Sequence, residues 1–144
     1  MLVTIRLETW LGNDLLSQLT LSRSYRLRFD LQLRNLSLYY AEYSSFLVYG
    51  EPRNYELLVS GYSGNVGGDA FSYHNGMMFT TYDRDNDPWT HTNSRNNDNC
   101  AVLYACGFWY KSCGNCHVNA GDLAWYSRQT GRLDLQSTRM WLTC

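Results

Sequence analysis

The chain has 144 residues, of which 44% are hydrophobic, and its formal net charge is −1. A compact chain of this length buries about two thirds of its unfolded surface, so one domain with its own core is expected. The arginines are scattered, which excludes the basic patch typical of a nucleic-acid-binding protein. No apolar run reaches the roughly 18 residues that a membrane span needs, and residues 1–10 lack the apolar core of a secretion signal.

The first half of the chain predicts one short helix and three antiparallel strands. Residues 12–19 combine an asparagine and an aspartate with leucines at helical spacing, which predicts a capped helix of about two turns. Residues 25–34 alternate strictly between apolar and polar side chains, so this segment is expected to be a strand with one buried face. Residues 38–48 and 55–62 predict two further strands, joined by a turn at residues 50–54. An antiparallel meander is the simplest assembly of these strands.

The periodic pattern ends after Gly64, and the second half of the chain is predicted to be largely irregular. A long irregular stretch inside a compact domain must be held by something other than ladder hydrogen bonds, such as a metal ion or a disulfide. The aspartates of TYDRDND (residues 81–87) and all the cysteines occur in this half. We therefore expect its stabilising groups among these side chains.

Three aspartates, Asp83, Asp85 and Asp87, stand two residues apart. This spacing lets oxygens from neighbouring turns converge on a hard cation such as Ca²⁺, which takes about six to eight oxygen ligands. An EF-hand is excluded because the sixth position counted from Asp83 is Pro88, where that loop needs glycine. The same spacing also occurs in solvated acidic loops, so the aspartates alone leave both interpretations open.

Cys113 and Cys116, followed by His117, form a C-x-x-C-H pattern. This pattern has the form of a c-type haem site and of a dithiol redox centre. A thioredoxin-like centre needs a strand-to-helix junction, and the periodicity around the pattern predicts none. A zinc site that also uses Cys106 lacks the second paired motif of a structural site. The remaining interpretation is that Cys116 is an extra cysteine that pairs with Cys106 or Cys144.

Several segments together resemble the fibrinogen-related C-terminal domain of ficolins, tachylectins, tenascins, angiopoietins and fibrinogen. They are AEYSSF (41–46), SGYSGN (60–65), GDAFSYHNGMMFTTYDRDND (68–87) and CAVLYACGFWYKSC (100–113). The resemblance implies an α+β fold with an antiparallel sheet, short helices and an irregular C-terminal half stabilised by calcium and a disulfide. It covers residues 8–144, a partial domain without the family's N-terminal subdomain, and leaves residues 1–7 without an assignment.

The resemblance also implies a calcium site. In the family, the second and third acids of the D-x-D-x-D run supply calcium oxygens together with a main-chain carbonyl just downstream. By position these ligands are Asp85, Asp87 and the carbonyl of Trp89. An insertion follows in this chain, so the next ligand is expected from His91 or from near Asp98.

A disulfide and a small binding pocket are implied by the same resemblance. The family disulfide that pins the pocket loop carries over to Cys100 and Cys113, and closing this loop stabilises a fold by about 3 kcal/mol in the chain-entropy model. The relatives have a cis peptide bond before the second cysteine, which places one at Ser112–Cys113, where the amides hold an acetyl oxygen. Tyr104 falls where acetyl-recognising lectins carry a pocket aromatic, and Gly114 replaces the family's histidine.

These assignments predict a secreted, calcium-dependent binding module of the lectin type that recognises acetylated glycans in innate immunity. Several weak pockets on a homo-oligomer would act together through avidity. The alternative is an extracellular-matrix domain that binds cell-surface or matrix proteins and has a vestigial pocket. A haem or redox protein that uses the C-x-x-C-H pattern is a third hypothesis. No sequence pattern places a nucleophile beside a base, so no enzyme is expected.

Overall fold

The computed structural model describes residues 3–5, 11–90 and 98–144 of the chain. Within these residues the strands are β1 (Val3–Ile5), β2 (Tyr25–Leu33), β3 (Leu38–Val48), β4 (Leu57–Gly64), β5 (Cys116–His117), β6 (Ala124–Ser127) and β7 (Gly131–Thr143). The helices are α1 (Asn13–Ser22) and α2 (Cys100–Tyr104), with 3₁₀ turns at Glu51–Arg53 and Phe71–His74. All strand pairs are antiparallel, in the order β4-β3-β2-β7-β6-β5, and β1 pairs with β7. No helix in these ranges is long and apolar enough to cross a membrane.

The central meander forms as the alternation of its side chains predicts. Leu27, Phe29 and Leu31 on β2 are fully buried, whereas the residues between them face outward. The predicted strand at residues 38–48 is confirmed at its full length. The third strand begins at Leu57, two residues later than predicted, because the 3₁₀ turn is followed by two residues with left-handed backbone, one of which is Tyr55 (φ 53°). Local apolar periodicity was therefore sufficient to find this part of the sheet.

The longest strand, β7, lies in the half that was predicted to be irregular, and for this segment the prediction was wrong. β7 pairs with β2 along most of its length, so it belongs to the centre of the sheet. The register shifts where Gln32 faces Ser137 and Leu33 faces Leu135, which leaves Gln136 as an extra residue in the strand. A bulge of this kind reverses which residues face inward, so the apolar alternation changes phase and looks like the absence of a period.

Helix α1 is longer than the two turns predicted and begins without a side-chain cap. It spans ten residues, and Gly12 occupies the position before its first turn. Its buried face attaches it to β3, since the Thr20 hydroxyl accepts the N–H of Val48 at 3.0 Å and donates to the carbonyl of Leu16 at 3.0 Å. Tertiary contact, rather than a capping hydrogen bond, therefore accounts for its extra turn.

Aromatic side chains join the second half of the chain to the inner face of the sheet. The ring of Phe29 packs edge-on against Phe71, with 5.0 Å between centroids, and against Trp125 at 5.7 Å. Phe71 in turn contacts Phe108 at 6.0 Å and Trp109 at 6.3 Å. Such edge-to-face pairs contribute about 0.5–1.5 kcal/mol each beyond the burial of their area. The core thus lies between the sheet and the loops that carry the aspartates and cysteines.

Candidate functional site

A disulfide joins the start of α2 to the loop that follows it. The sulfurs of Cys100 and Cys113 are bonded, and their Cα atoms lie 5.4 Å apart. Asn99 caps the start of this helix, and its side-chain oxygen accepts the N–H groups of Ala101 at 2.7 Å and Val102 at 3.2 Å. A cap of this kind satisfies amides that have no partner inside the helix. The pairing that the resemblance implied is present, and both of its ends are fixed by local structure.

The acidic segment is attached to this helix through Asp87. One carboxylate oxygen of Asp87 accepts the N–H of Trp89 at 3.1 Å, and the other accepts the N–H of Cys100 at 3.0 Å. Asp85 lies next to it and accepts the N–H of Asp87 at 3.3 Å. Burial raises the pKa of Asp87, the two backbone hydrogen bonds oppose this, and the neighbouring Asp85 raises it further. Asp83 is separate and exposed, and accepts the Thr81 hydroxyl at 2.7 Å.

The side chains of Asp85 and Asp87 fit a hard cation, since two adjacent carboxylates repel each other and a positive charge between them relieves that repulsion. No group of three or more His, Cys, Asp or Glu side chains gathers in the described part of the chain. A calcium ion here would therefore depend on main-chain carbonyls, of which the sequence nominates Trp89, to complete its oxygen shell. The candidate ligand His91 lies outside the described residues.

The loop before Cys113 differs from the expectation. None of the described peptide bonds is cis, so the predicted cis bond at Ser112–Cys113 was wrong. Cys113 instead adopts a left-handed backbone (φ 41°), and the N–H of Lys111 donates to the Cys113 carbonyl at 2.9 Å. A trans bond is favoured by about 3 kcal/mol at a non-proline residue, and this turn reverses the chain without giving up that preference. Ser112 is exposed at the tip of the turn, and Cys113 is buried beneath it.

The pocket aromatic predicted from the resemblance, Tyr104, is half-buried at the end of α2. Its ring packs against His117, with 4.2 Å between centroids, and is nearly parallel to Tyr110 at 6.0 Å. His117 itself is buried, and this burial lowers its pKa, with the positive charge of Arg132 acting in the same direction. Tyr104 therefore belongs to an aromatic stack beside the disulfide loop.

A histidine that the sequence analysis did not single out, His74, supports this loop from below. It is fully buried, its Nδ1 donates to the carbonyl of Trp109 at 2.7 Å, and its Nε2 accepts the N–H of Asn115 at 3.3 Å. Burial lowers its pKa to about 4, so the ring is neutral and has one fixed tautomer. The two partners flank Ser112 and Cys113, so a single imidazole holds both ends of the turn. The only sequence signal was a histidine in an apolar run, SYHNGMMF, which by itself indicates no role.

The imidazole of His74 also explains why position 114 is a glycine. A Cβ built at this position would lie 2.9 Å from Cε1 of His74, closer than real side chains approach. The space that a larger residue would need at this position is thus filled by a buried ring from another part of the chain. Glycine, which stands here in place of the family's histidine, therefore fits the space that the His74 ring leaves.

The remaining cysteines do not form the redox or haem centre that the C-x-x-C-H pattern raised as a hypothesis. Cys113 is already bonded to Cys100, and Cys116 is fully buried, which raises its pKa well above the ordinary value. The expected pairing of Cys116 with Cys106 or Cys144 was wrong, because all three thiols are free. The sulfur of Cys106 lies 3.0 Å from the hydroxyl of Tyr110. Cys144 is exposed beside Arg23, whose hydrogen bond lowers the pKa of its thiol. A reactive dithiol needs two accessible sulfurs, and this arrangement offers one bonded and one enclosed.

The fold and the site together define a disulfide-stabilised α+β domain that presents its loops on one side of an antiparallel sheet. The chain belongs to the family of C-terminal globular domains of fibrinogen beta and gamma chains, whose family model matches residues 3–143. The antiparallel sheet, the short helices and the disulfide agree with the fold that the sequence motifs predicted.

Similar proteins come from several branches of this family. Angiopoietin-related protein 7 of Bos taurus is 40% identical over 116 residues, which is 81% of this chain and 31% of that protein. Ficolin-3 of Homo sapiens is 39% identical over 112 residues, which is 78% of this chain and 35% of that protein. The solved fibrinogen-like globe domain of human ANGPTL2 superposes with a TM-score of 0.77 at 30% identity, covering 93% of this chain and 64% of that one. The chain thus spans about a third of the length of the two relatives.

Proposed function

We propose that this chain is an extracellular, calcium-dependent binding module that recognises acetylated groups on glycans, and that it has no catalytic role. The observation that carries the proposal is the double hydrogen bonding of Asp87, which links the acidic pair to the N–H of Cys100. Through the disulfide, Cys100 continues into the turn of Ser112 and Cys113. A cation held by Asp85 and Asp87 would therefore stabilise the residues on which the pocket depends.

The binding groups in this proposal are main-chain amides at the exposed turn and an aromatic wall beside it. Ser112 is exposed, and His74 bonds to Trp109 and Asn115 on either side of the turn, which limits its motion. In this proposal the amides of the turn donate to a small acceptor such as an acetyl oxygen, and a rigid turn loses little entropy on binding. Tyr104 supplies the aromatic surface through its stack with Tyr110. A site made of so few contacts binds weakly as a single copy, so useful affinity requires several copies acting together in an oligomer.

An extracellular location is supported by the chemistry of the cysteines. Disulfides form and persist in oxidising compartments and are rare in the cytosol. The bond between Cys100 and Cys113 is central to the proposed site, since it connects the acidic segment to the loop. The proposed partners are accordingly glycans on cell surfaces or in the matrix.

The test is calorimetric titration of calcium and then of N-acetylglucosamine into the chain, compared with a variant carrying Asp85→Asn and Asp87→Asn. We expect the variant to lose at least tenfold in calcium affinity and to lose the calcium-dependent binding of the sugar. Asp83→Asn is the matched control, because Asp83 is exposed and, within the described residues, its carboxylate accepts the hydroxyl of the neighbouring Thr81. Sugar binding that persists in the double variant or in EDTA would refute the link between ion and pocket.

A second candidate function, the binding of a matrix or receptor protein, is favoured by the surface beside α2. A groove of about 600 Å³ runs between residues 81–83 and the helix. Large apolar side chains are exposed next to it, with Tyr82 at 77% and Leu103 at 58%. Contiguous exposed apolar patches mark interaction surfaces, and aromatic side chains such as Tyr82 are enriched in protein interfaces.

One adhesion experiment on a reconstituted basement-membrane surface distinguishes the lectin function from the protein-binding function. If the second is correct, Tyr82→Ala combined with Leu103→Ser reduces adhesion at least tenfold, and EDTA does not. If adhesion depends on calcium and is inhibited by N-acetylglucosamine, the lectin function is supported instead. Leu21→Ser on α1, at an exposed leucine that does not line the groove, is the control for a general loss of apolar surface.

A further inference from the structure

The outer face of the sheet carries a row of polar side chains that the core does not use. In the register of the three central strands, Asp30 of β2 stands between Tyr40 of β3 and Arg139 of β7. The next row toward the end of β2 contains Gln32 beside Ser137. Because side chains alternate across a strand, all of these lie on the face opposite to Leu27, Phe29 and Leu31. They therefore face away from the disulfide loop.

These side chains surround a concave site, which we call the outer-face pocket. It is defined by Arg28, Asp30, Gln32, Tyr40, Ser137 and Arg139, and has a volume of about 480 Å³. Cavities that bind small molecules span about 300–1,000 Å³, so this site accommodates one or two sugar rings. A flat sheet surface has no need of such a depression for its own stability.

Of the charged side chains in the pocket, Arg28 and Asp30 pair with each other, whereas Arg139 does not share in this ion pair. Arg28 donates from Nε to one oxygen of Asp30 at 2.8 Å, and its guanidinium lies over the ring of Tyr40, 4.3 Å from the centroid. The indole N–H of Trp141 donates to the other oxygen of Asp30 at 2.6 Å. Arg139 makes no ion pair or side-chain hydrogen bond within the described residues and is exposed. One guanidinium in the pocket thus remains available for an anion.

The neutral polar groups beside Arg139 can also form further hydrogen bonds. The oxygen of the Gln32 amide accepts the hydroxyl of Ser137 at 3.1 Å, which orients its NH₂ group away from that contact. Each oxygen of Asp30 accepts one hydrogen bond and keeps a further lone pair. The pocket therefore offers donors at the Arg139 and Gln32 side and fixed acceptors at Asp30.

We propose that the outer-face pocket binds a carboxylate-bearing saccharide, such as a uronic acid unit. The carboxylate accepts from Arg139 and the Gln32 amide, and the sugar hydroxyls donate to Asp30. A guanidinium suits this role because its planar donors match a carboxylate with two parallel hydrogen bonds. The ring of Tyr40, which is held in place by Arg28, forms one wall of the pocket. The edge of the sugar ring lies against this wall.

This second site does not depend on calcium, because the outer-face pocket shares no residue with the acidic pair and lies on the other face of the sheet. A domain with an acetyl-binding loop on one face and an acid-binding pocket on the other would engage two features of one glycan surface. Binding at two points raises the effective affinity without any new contact. The proposal stands even if the proposed function of the disulfide loop is wrong.

The experiment is an NMR titration of the isotope-labelled chain with D-glucuronate, with D-glucose as the neutral match. We expect glucuronate to shift the amide signals of β2, β3 and β7 around the pocket, and glucose to bind at least tenfold more weakly. Arg139→Gln is expected to weaken glucuronate binding at least tenfold, since a hydrogen bond between charged groups is lost. Arg128→Gln, at an exposed arginine in the loop before β7, is the matched control and leaves binding unchanged.

Further outcomes of the same titration decide the proposal. Wild-type binding that falls as salt rises supports it, because an exposed ion pair is screened. Equal binding of acetate and glucuronate overturns it, since the pocket would then recognise only an anion. Glucuronate shifts confined to other surfaces, or unchanged in Arg139→Gln, also overturn it. The Asp85→Asn, Asp87→Asn variant separates the two sites, because it abolishes calcium-dependent acetyl binding and leaves glucuronate binding intact.

Discussion

The two halves of the molecule are stabilised by different kinds of interaction. The meander of β2, β3 and β4 is held by regular ladders, with a continuous row of buried side chains on one face. Residues 65–90 and 98–123 have few ladder bonds and depend on individual side chains. His74, Asn99 and Asp87 each satisfy backbone groups that a strand or helix would have paired.

Because the two halves are stabilised differently, a substitution should change stability by different amounts in each. In the ladder half, each residue contributes a small and similar share, so no single hydrogen bond is decisive. In the loop half, the removal of one group leaves several buried backbone groups without partners, at about 1–3 kcal/mol for each. The calcium-dependent function is proposed for the loop half because the shape of that half is set by few contacts, so a ligand or ion that adds one contact shifts its conformation measurably.

The largest expected effect comes from breaking the disulfide with Cys100→Ser and Cys113→Ser. Loss of this crosslink should lower the free energy of unfolding by about 3 kcal/mol, because the unfolded chain regains the freedom of the closed loop. Urea denaturation monitored by tryptophan fluorescence measures it. Cys144→Ser is the control, since this thiol is exposed and in no disulfide, and is expected to change stability by less than about 0.5 kcal/mol.

Hydrogen exchange on the same variant tests the division into two halves. The amides of Thr80 and Phe108 bond to each other's carbonyls in an isolated bridge next to the disulfide loop. They should lose more protection than the amides of β2, if the loop half opens without the ladders. Equal loss in both regions would mean that the molecule unfolds as one unit, and the comparison would not hold.

Sequence reasoning predicted the ladder half because its signal is local. The alternation from Tyr25 to Leu33 is unbroken, and the burial pattern follows it. The same reasoning missed β7 because the bulge at Gln136 changes the phase of its apolar residues, and only the partner strand reveals that both phases face the same core.

The site was predicted unevenly for a related reason. The pairing of Cys100 with Cys113 followed from the family resemblance, since spacing alone does not choose among five cysteines. His74 was not predicted because a single buried histidine has no period, and its two partners are 35 and 41 residues away in sequence. The roles of such residues depend on long-range contacts that no local pattern encodes.

The pH dependence of stability measures the contribution of His74. Its pKa is lowered from 6.5 to about 4 in the folded chain. Between these values the unfolded chain binds a proton that the folded chain does not, so stability falls as the pH is lowered. From pH 7.5 to pH 5 this group should account for a loss of about 2 kcal/mol.

The measurement is urea denaturation at half-unit pH intervals on the wild type and on His74→Gln. Other groups also titrate in this range, with His117 acting in the same direction and Asp87 in the opposite one. The difference between the two proteins isolates His74, and the wild type should show the steeper slope below pH 6.5. Parallel slopes would show that His74 is not held neutral in the folded state.

The smallest expected effect concerns the packing of this histidine against Gly114. In Gly114→Ala the new methyl group would lie 2.9 Å from the ring, so the ring must move. Overpacking of a buried site costs about 1–3 kcal/mol, and the reduced freedom of the unfolded chain offsets about 0.5 kcal/mol of it. We therefore expect a net loss of about 1 kcal/mol in urea denaturation, together with a shift of the His74 ring signals in the NMR spectrum.

Gly121→Ala is the matched control for this substitution. A Cβ at Gly121 meets nothing within 4 Å, so the unfolded-state effect remains alone and the variant is expected to be as stable as the wild type or slightly more stable. If both alanine variants have the same stability, the contact between Gly114 and His74 is looser than the structure indicates. If only Gly114→Ala is destabilised and also loses sugar binding, one buried ring sets both the shape and the function of the loop.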